Sequence, residues 1–447
     1  MECLSRRISF PVSDGAPDPM RILFTNNTFD RPAGTELSAF DAIRRLKALG
    51  HEPAAFSRQL GEVAERLRAL GAPVVDDLDD LPEGWTPEIV HGQHFWETSL
   101  AALRFPGTPV LSFCRGATPW QEAPCRAPNV AGHVAVDEDC RDRLVEEEGV
   151  APDSITVVLN GVDADRFPPR PPLPEKPARA LVFSNYAKPD NYFATIRAAC
   201  AGEDIDCEAL GVGMGNAVAD PAPLLAGSDL VFAKGKAALE ALVTGCGVIV
   251  CDEPGIGHLV TGANFESLRR RSFGYSCMPD PVTAENVRRV VGEWRREACR
   301  EAAETARRTA TLEATVAALL AVYESTVDAW NRRADRPGPE AFHRWATGFF
   351  TENTHAFKLG REMQQIWREG MRLEPPIGAA EATAEMNRIL HSFRQVEERI
   401  AKYESRLQQR DAKILNLKQK LRSRESGGHG DGDDGEKRGR FRFWRRS

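Results

Sequence analysis

Between Leu230 and Gly257 the chain reads LVFAKGKAALEALVTGCGVIVCDEPGIG. Lys234 and Lys236 stand on either side of Gly235, and Glu240 follows on the same predicted helix. The pattern predicts a buried strand, a glycine turn, a helix closed by Gly245 and Gly247, and a second buried strand from Val248 to Val250. The first backbone N–H groups of such a helix have no internal acceptor, so the turn can hold a phosphate. The two lysines would reinforce it, and Glu240, about one and a half turns in, could reach a sugar hydroxyl. An ordinary strand–helix–strand unit with solvated lysines and a surface glutamate has the same spacing, and the pattern alone leaves both readings open.

A second set of reactive side chains lies in the N-terminal half. In PEIVHGQHFWETSLAAL, a strand through Ile89 and Val90 delivers His91 and His94 to its carboxyl end, where open α/β sheets bind ligands. Two histidines three apart suggest a metal, but no Cys, Asp or third His stands at ligand-like spacing nearby, so no metal ligands are assigned. The next strand, in TPVLSFCRGATPW, ends at Arg115 and Gly116. Arginine stays protonated and cannot act as a base; it can clamp a phosphate or an acidic acceptor, or pair with a neighbouring carboxylate.

These groups need a scaffold. RILFTN is a short strand, and the following Leu37, Phe40, Ile43, Leu46 and Leu49 recur at helical spacing until Gly50 ends the helix. Gly34 lies in the loop between them, as half of a nucleotide-type α/β fold requires. Residues 132–169 predict strand, charged helix and strand, then an Asn160-Gly161 turn whose composition suits left-handed backbone. The proline-rich run PPRPPLPEKPA marks a stiff linker. Beyond it, RALVFSNYAKPDNYF predicts a strand and a loop carrying Asn185, Tyr186 and Lys188. Gly211, Gly213 and Gly215 follow the next strand, but a dinucleotide fingerprint belongs at the first strand of a domain, so they are a weak signal.

Composition narrows the classes. A chain of 447 residues suggests two domains plus an extension. The net charge of -7 argues against a nucleic-acid-binding surface. No apolar run approaches the roughly 18 to 20 residues of a membrane span, and the N-terminus lacks a secretory h-region. Ten cysteines without paired CxxC spacing read as small buried thiols in a reducing compartment. The expected location is the cytoplasm, with peripheral attachment to the inner face of a membrane.

The donor-type segment, with Glu240, Ala241, Leu242 and Gly245 in order, resembles the retaining GT-B glycosyltransferases of family 4. The run Asn160, Gly161, Val162, Asp163 and Phe167 resembles the end of that family's acceptor domain. The resemblance spans roughly residues 20–330. It implies an α/β fold of two Rossmann-like domains facing a cleft, at 20–167 and 179–332, joined by the linker 168–178. It implies a nucleotide-sugar donor as substrate, with no permanently bound cofactor and no metal, and a glycan, lipid-linked or protein acceptor. His91, His94, Arg115 and Glu240 become the candidate catalytic residues. Gly34, Lys188, Gly213, Lys234, Gly235 and Glu240 become the donor-binding set. The family places a second acidic residue eight positions before Glu240; here that position is Phe232. A catalytically weakened scaffold of the same fold is therefore an alternative, and a nucleotide-sugar epimerase is a further one.

The remaining chain departs from a minimal enzyme. A helical region is expected at 337–377 and a coiled coil at 378–425, because Met386 through Leu421 place apolar residues at alternating steps of three and four, broken only at Arg410. That seam predicts a homodimer through residues 386–421. Residues 426–447 read as an acidic then basic–aromatic disordered tail, in which 437–446 would dock on an anionic membrane surface.

Overall fold

The computed structural model describes residues 19–351, apart from 33 and 219. Among these residues the chain folds into two sheets with helices packed on them. The first is built from β1 (Arg21–Thr25), β2 (Glu52–Phe56), β3 (Val74–Val75), β4 (Ile89–Gln93), β5 (Val110–Cys114), β6 (Val130–Ala135) and β7 (Ile155–Val157). All its pairings are parallel, in the order β3-β2-β1-β4-β5-β6-β7. Helices α1 (Gly34–Ala48), α2 (Glu62–Ala69), α3 (Phe95–Arg104) and α4 (Glu138–Glu146) connect these strands. Gly50 takes φ +89 just past the end of α1, the left-handed geometry that lets a helix stop there.

The second sheet contains β8 (Arg179–Phe183), β9 (Asp206–Leu210), β10 (Leu230–Ala233), β11 (Gly247–Asp252) and β12 (Gly255–Leu259). Its order is β12-β11-β10-β8-β9, parallel except for the β11–β12 pair. Helices α5 (Tyr192–Ala201), α6 (Ala222–Ala226) and α7 (Gly235–Thr244) link its strands, and α8 (Phe265–Arg270), α9 (Ala284–Val291) and α10 (Arg296–Thr309) follow. Fully covered parallel strands read as continuous apolar runs, and every residue of β10 and β11 is buried. Phe232 sits in the middle of this layer, paired with Val182 on one side and Ile249 on the other. An acid there would face core rather than cleft.

Helix α11 (Leu312–Asn331) carries the chain back. Leu312, Val316, Leu319 and Tyr323 join the core of the first half with Ile43 and Leu46, whereas Ala302 and Ala306 of α10 pack in the second half. The return is stitched where Val162 N–H donates to Ala310 and Leu312 N–H to Val162, at 2.9 and 3.0 Å. This contact revises the reason for glycine after Asn160. Neither Asn160 nor Gly161 has positive φ; instead, a Cβ on Gly161 would run into the Thr311 carbonyl.

The proline-rich segment is held against the second half rather than left free. Arg170 pairs with Asp229 at 2.6 Å, both buried, and Asp229 also accepts from the N–H groups of Ala178 and Arg179. Among the described residues no helix is long and apolar enough to cross a membrane. Residues 339–351 are helical. The rest of the expected 337–377 region, the coiled coil at 378–425 and the tail at 426–447 lie outside the described residues.

Gly161→Ala should destabilise the protein by about 1–3 kcal/mol, the usual result of forcing a methyl into a filled space. Equilibrium urea unfolding measures it, and an unchanged midpoint would show that the crossing tolerates the extra carbon.

Candidate active site

Both parallel sheets direct their carboxyl ends at one cleft. In the second sheet the strand order reverses between β8 and β10, and ligands of open α/β sheets bind at such switch points. The loop after β8 and the start of α7 flank that reversal. Together with residues of the first half they enclose a cavity of about 480 Å³, within the usual range of small-molecule sites. The first half contributes Gly34 and Thr35 at the start of α1, Arg115 after β5, Asp137 and Asp139 at the start of α4, and Asn160. The second half contributes residues 184–186, 234–237 and 272–275.

Helix α7 starts here because Lys234 is extended and Gly235 turns the chain at φ +60, which glycine adopts without strain. Gly235 N–H is taken by Phe273 O at 3.1 Å. Lys236 and Ala237 follow in the first helical turn, where N–H groups have no intrahelical acceptor, and both line the cavity.

Beneath this turn lies Asp252, 1% exposed. One oxygen accepts from Ser184 Oγ at 2.8 Å and Tyr192 OH at 2.9 Å; the other faces Lys234 Nζ at 3.0 Å. Lys234 also donates to Tyr275 OH at 2.5 Å. Burial pulls the Lys234 pKa down, but the Tyr275 hydrogen bond and Asp252 outweigh it, and the net shift is upward. Lys234 therefore stays charged, with its charge already answered.

Across the cleft, Arg115 Nη2 donates to Asn160 Oδ1 at 2.7 Å, and Arg115 N–H donates to Glu122 Oε2 at 2.8 Å. Burial lowers the Arg115 pKa, while Glu122 opposes that shift. Glu122 Oε1 lies 3.4 Å from His94 Nε2. His94 Nδ1 accepts from Asn27 N–H at 3.0 Å, so a neutral His94 carries its proton on Nε2, facing Glu122. His94 holds φ 63 and ψ 128, a backbone state that non-glycine residues rarely adopt.

Ion pairs tie the two walls together. Lys236 Nζ lies 2.8 Å from Asp41 of α1, Arg270 lies 2.6 Å from Glu138, and Arg271 contacts Asp139. Ser276 adds a 2.6 Å hydrogen bond to Asp139.

The same architecture occurs in known proteins. A glycosyltransferase from Rickettsia africae ESF-5 superposes with a TM-score of 0.52 at 16% identity, covering 70% of this chain and 99% of that one. The HepE protein of Anabaena, solved with UDP and glucose, gives a TM-score of 0.50 at 12% identity, covering 68% and 100%. The fold is GT-B. Residues 32–166 match the family model of Glycosyltransferase Family 4. No curated protein matches the sequence.

In this GT-B chain the residues singled out from sequence separate into two groups. Gly34, Arg115, Lys234 and Gly235 line the cleft. His91, His94, Glu240, Lys188 and Gly213 are not among its lining residues. The His91 ring is stacked between Phe24 and Phe113 at 4.3 and 3.5 Å, with Nδ1 2.5 Å from Tyr323 OH. Burial, aided by Arg115, holds its pKa well below the ordinary histidine value, so this imidazole is neutral. Lys188 is exposed on its loop. Gly213 is needed for packing, since a Cβ there would strike the Ala187 carbonyl. Among the described residues no group of three or more His, Cys, Asp or Glu is placed to hold a metal ion.

Sequence reasoning did not single out Asp252, Tyr275, Asp41 or Glu122. Asp252 ends an apolar strand and Asp41 interrupts an amphipathic helix, signals that an isolated acid at a strand end or on a buried helix face provides. Glu122 and Tyr275 stand in irregular segments with no periodicity to read.

Glu240 is partly buried, and burial pushes its pKa up to about 7 against the opposing Lys236 and Arg166, with Asp41 adding to the rise. A carboxyl whose folded pKa exceeds its ordinary 4.5 favours the protonated form on folding. The cost of ionising Glu240 is absent below pH 4.5 and fully present above about pH 7. Glu240→Gln should therefore gain stability relative to the parent, by about 1–3 kcal/mol, as pH rises across that window. Urea unfolding at several pH values measures the difference, and a gap that does not change with pH would contradict the assignment.

Proposed function

We propose that this chain is a glycosyltransferase moving a sugar from a nucleotide-sugar donor to an acceptor hydroxyl with retention of anomeric configuration. The carrying observation is the cavity at the carboxyl ends of both sheets, in which the first turn of α7 faces Arg115 and Asn160. The diphosphate would lie against the N–H groups of Lys236 and Ala237, with Lys234 and Lys236 beside it. As the bond from the sugar's anomeric carbon to the diphosphate oxygen breaks, its electron pair leaves with the diphosphate. The acceptor oxygen bonds to that carbon from the same face, and its proton passes to the departing phosphate oxygen. Oriented N–H donors favour the charge that develops on the leaving group. Arg115 would position an acceptor phosphate or carboxylate, the kind of group a glycan or lipid-linked acceptor carries. His91 and His94 would act through the loops they hold. Retention is supported by the family resemblance.

A binding subunit without turnover is the second reading. It is favoured by Phe232, fully buried where the family has an acid, and by the pairing of Lys234 and Lys236 with Asp252 and Asp41. The proposal extends to a homodimer through residues 386–421 and membrane contact through 437–446.

Incubation with a panel of nucleotide sugars and acceptors, followed by NMR of the product anomer, separates these readings. By the family resemblance Glu240 would hold a hydroxyl of the donor sugar, although it is not among the residues lining the cavity; on a verified pair, Glu240→Gln should lower turnover at least about tenfold. Turnover within about twofold of the parent would remove Glu240 from sugar recognition. Nucleotide binding with no product would favour the binding subunit.

A further inference from the structure

The charged side chains that line the cleft are Arg115, Asp137, Asp139, Lys234, Lys236 and Arg269. The cations divide by how their charge is met. Lys234 faces Asp252 at 3.0 Å, and Lys236 faces Asp41 at 2.8 Å. The arginines, one from each half, have no such acid. Arg115 Nη2 donates to the Asn160 side-chain oxygen, and Glu122 accepts from the Arg115 backbone N–H. Arg269, in α8, is 8% exposed. Its Nη2 donates to the Thr309 carbonyl at 3.3 Å, and its Nη1 is buried without a partner. Among the described residues neither guanidinium forms an ion pair. The two acids of the lining are engaged elsewhere, Asp139 with Arg271 and Ser276, and Asp137 with the Cys140 N–H.

A buried guanidinium without an acid is costly, because it loses its water and gains no counter-charge. Burial lowers the pKa of both arginines, with Glu122 opposing at Arg115 and Glu266 at Arg269. An arriving anion removes that cost, and the planar fork of arginine matches the oxygens of a carboxylate or phosphate. The diphosphate already has the first turn of α7 and two lysines, which leaves the arginines over. We propose that Arg269 and Arg115 receive a second anionic group, a carboxylate or phosphate borne by the transferred sugar or by the acceptor. The inference rests on the transfer reading above and adds a substrate class to it, an acidic or phosphorylated sugar. Arg269 becomes the specificity residue of the second half, as Arg115 is of the first.

Calorimetry on the full chain tests this in two arms. In the acceptor arm, glucose, glucuronate and glucose 6-phosphate are titrated with and without saturating inorganic pyrophosphate. In the donor arm, uridine diphosphate glucose is compared with uridine diphosphate glucuronate. A charged ligand should bind about tenfold more tightly than its neutral counterpart, and the arm in which it does so identifies the source. Arg269→Met, of similar length without the charge, should bring the two within about twofold, whereas Arg269→Lys should keep part of the preference. Because the methionine removes an unpaired buried charge, its ligand-free urea midpoint should equal or exceed that of the parent. An intact preference in Arg269→Met overturns the proposal, and a lowered midpoint assigns Arg269 a structural role instead. Equal binding of charged and neutral ligands in both arms also overturns it. A preference lost when pyrophosphate is present would place the arginines in the diphosphate site. Failure of pyrophosphate and of both nucleotide sugars to bind overturns the transfer reading itself.

Discussion

The buried carboxylate of Asp252 is the constraint around which the second half of the cleft is arranged. An ion at 1% exposure costs several kcal/mol unless its oxygens are paired. Three groups meet that demand, from the end of β8, the start of α5 and the residue before α7. The same contacts bring three strand ends to one point, at the place where the strand order reverses. Lys234 is the residue from which α7 departs, so fixing its head also fixes the direction of the helix's first turn. Gly235 then makes the turn at φ +60. The anion-facing N–H groups, the lysine and the two exposed tyrosines all inherit their positions from that one carboxylate.

The first half uses a comparable buried polar knot for a different purpose. Glu122 links His94 to the backbone of Arg115, and Arg115 reaches Asn160 just before the chain crosses to the second half. His91 is a neutral ring within the layer, bonded to Tyr323 of the returning helix. The histidines thus connect the strand ends to α11 and to the loop after β5. Between the halves, Lys236–Asp41 joins α7 directly to α1 with an almost fully buried acid. The more exposed Arg270 and Arg271 pairs are individually worth less.

Much of the scaffold was legible because its signals are local. The apolar runs of β10 and β11, the glycine before α7 and the 3.6-residue spacing of α1 are set by burial and helix geometry within a few residues. The site was only partly legible. Glycine-flanked Lys234 and Arg115 at a strand end were found, since those positions face the cleft in any such sheet. His91 and His94 were placed at the right strand end, but sequence does not show that Phe24, Phe113 and Glu122 enclose them. Lys188 is exposed on the loop after β8 and is not among the residues lining the cavity. Gly161 was identified for its turn, whereas the demand on it comes from Thr311, 150 residues further along the chain. Asp252 and Tyr275 were missed because their partners are separated in sequence and join only through the sheet order.

The central claim is that the first turn of α7 receives the phosphates of a nucleotide donor. Residue-resolved amide hydrogen exchange, with and without a saturating nucleoside diphosphate, tests it most directly. The account predicts slowed exchange at Lys236 and Ala237, whose N–H groups have no intrahelical acceptor, with smaller effects at the loop carrying Tyr186. Tight nucleotide binding that leaves those two amides unchanged while protecting another part of the chain would contradict it.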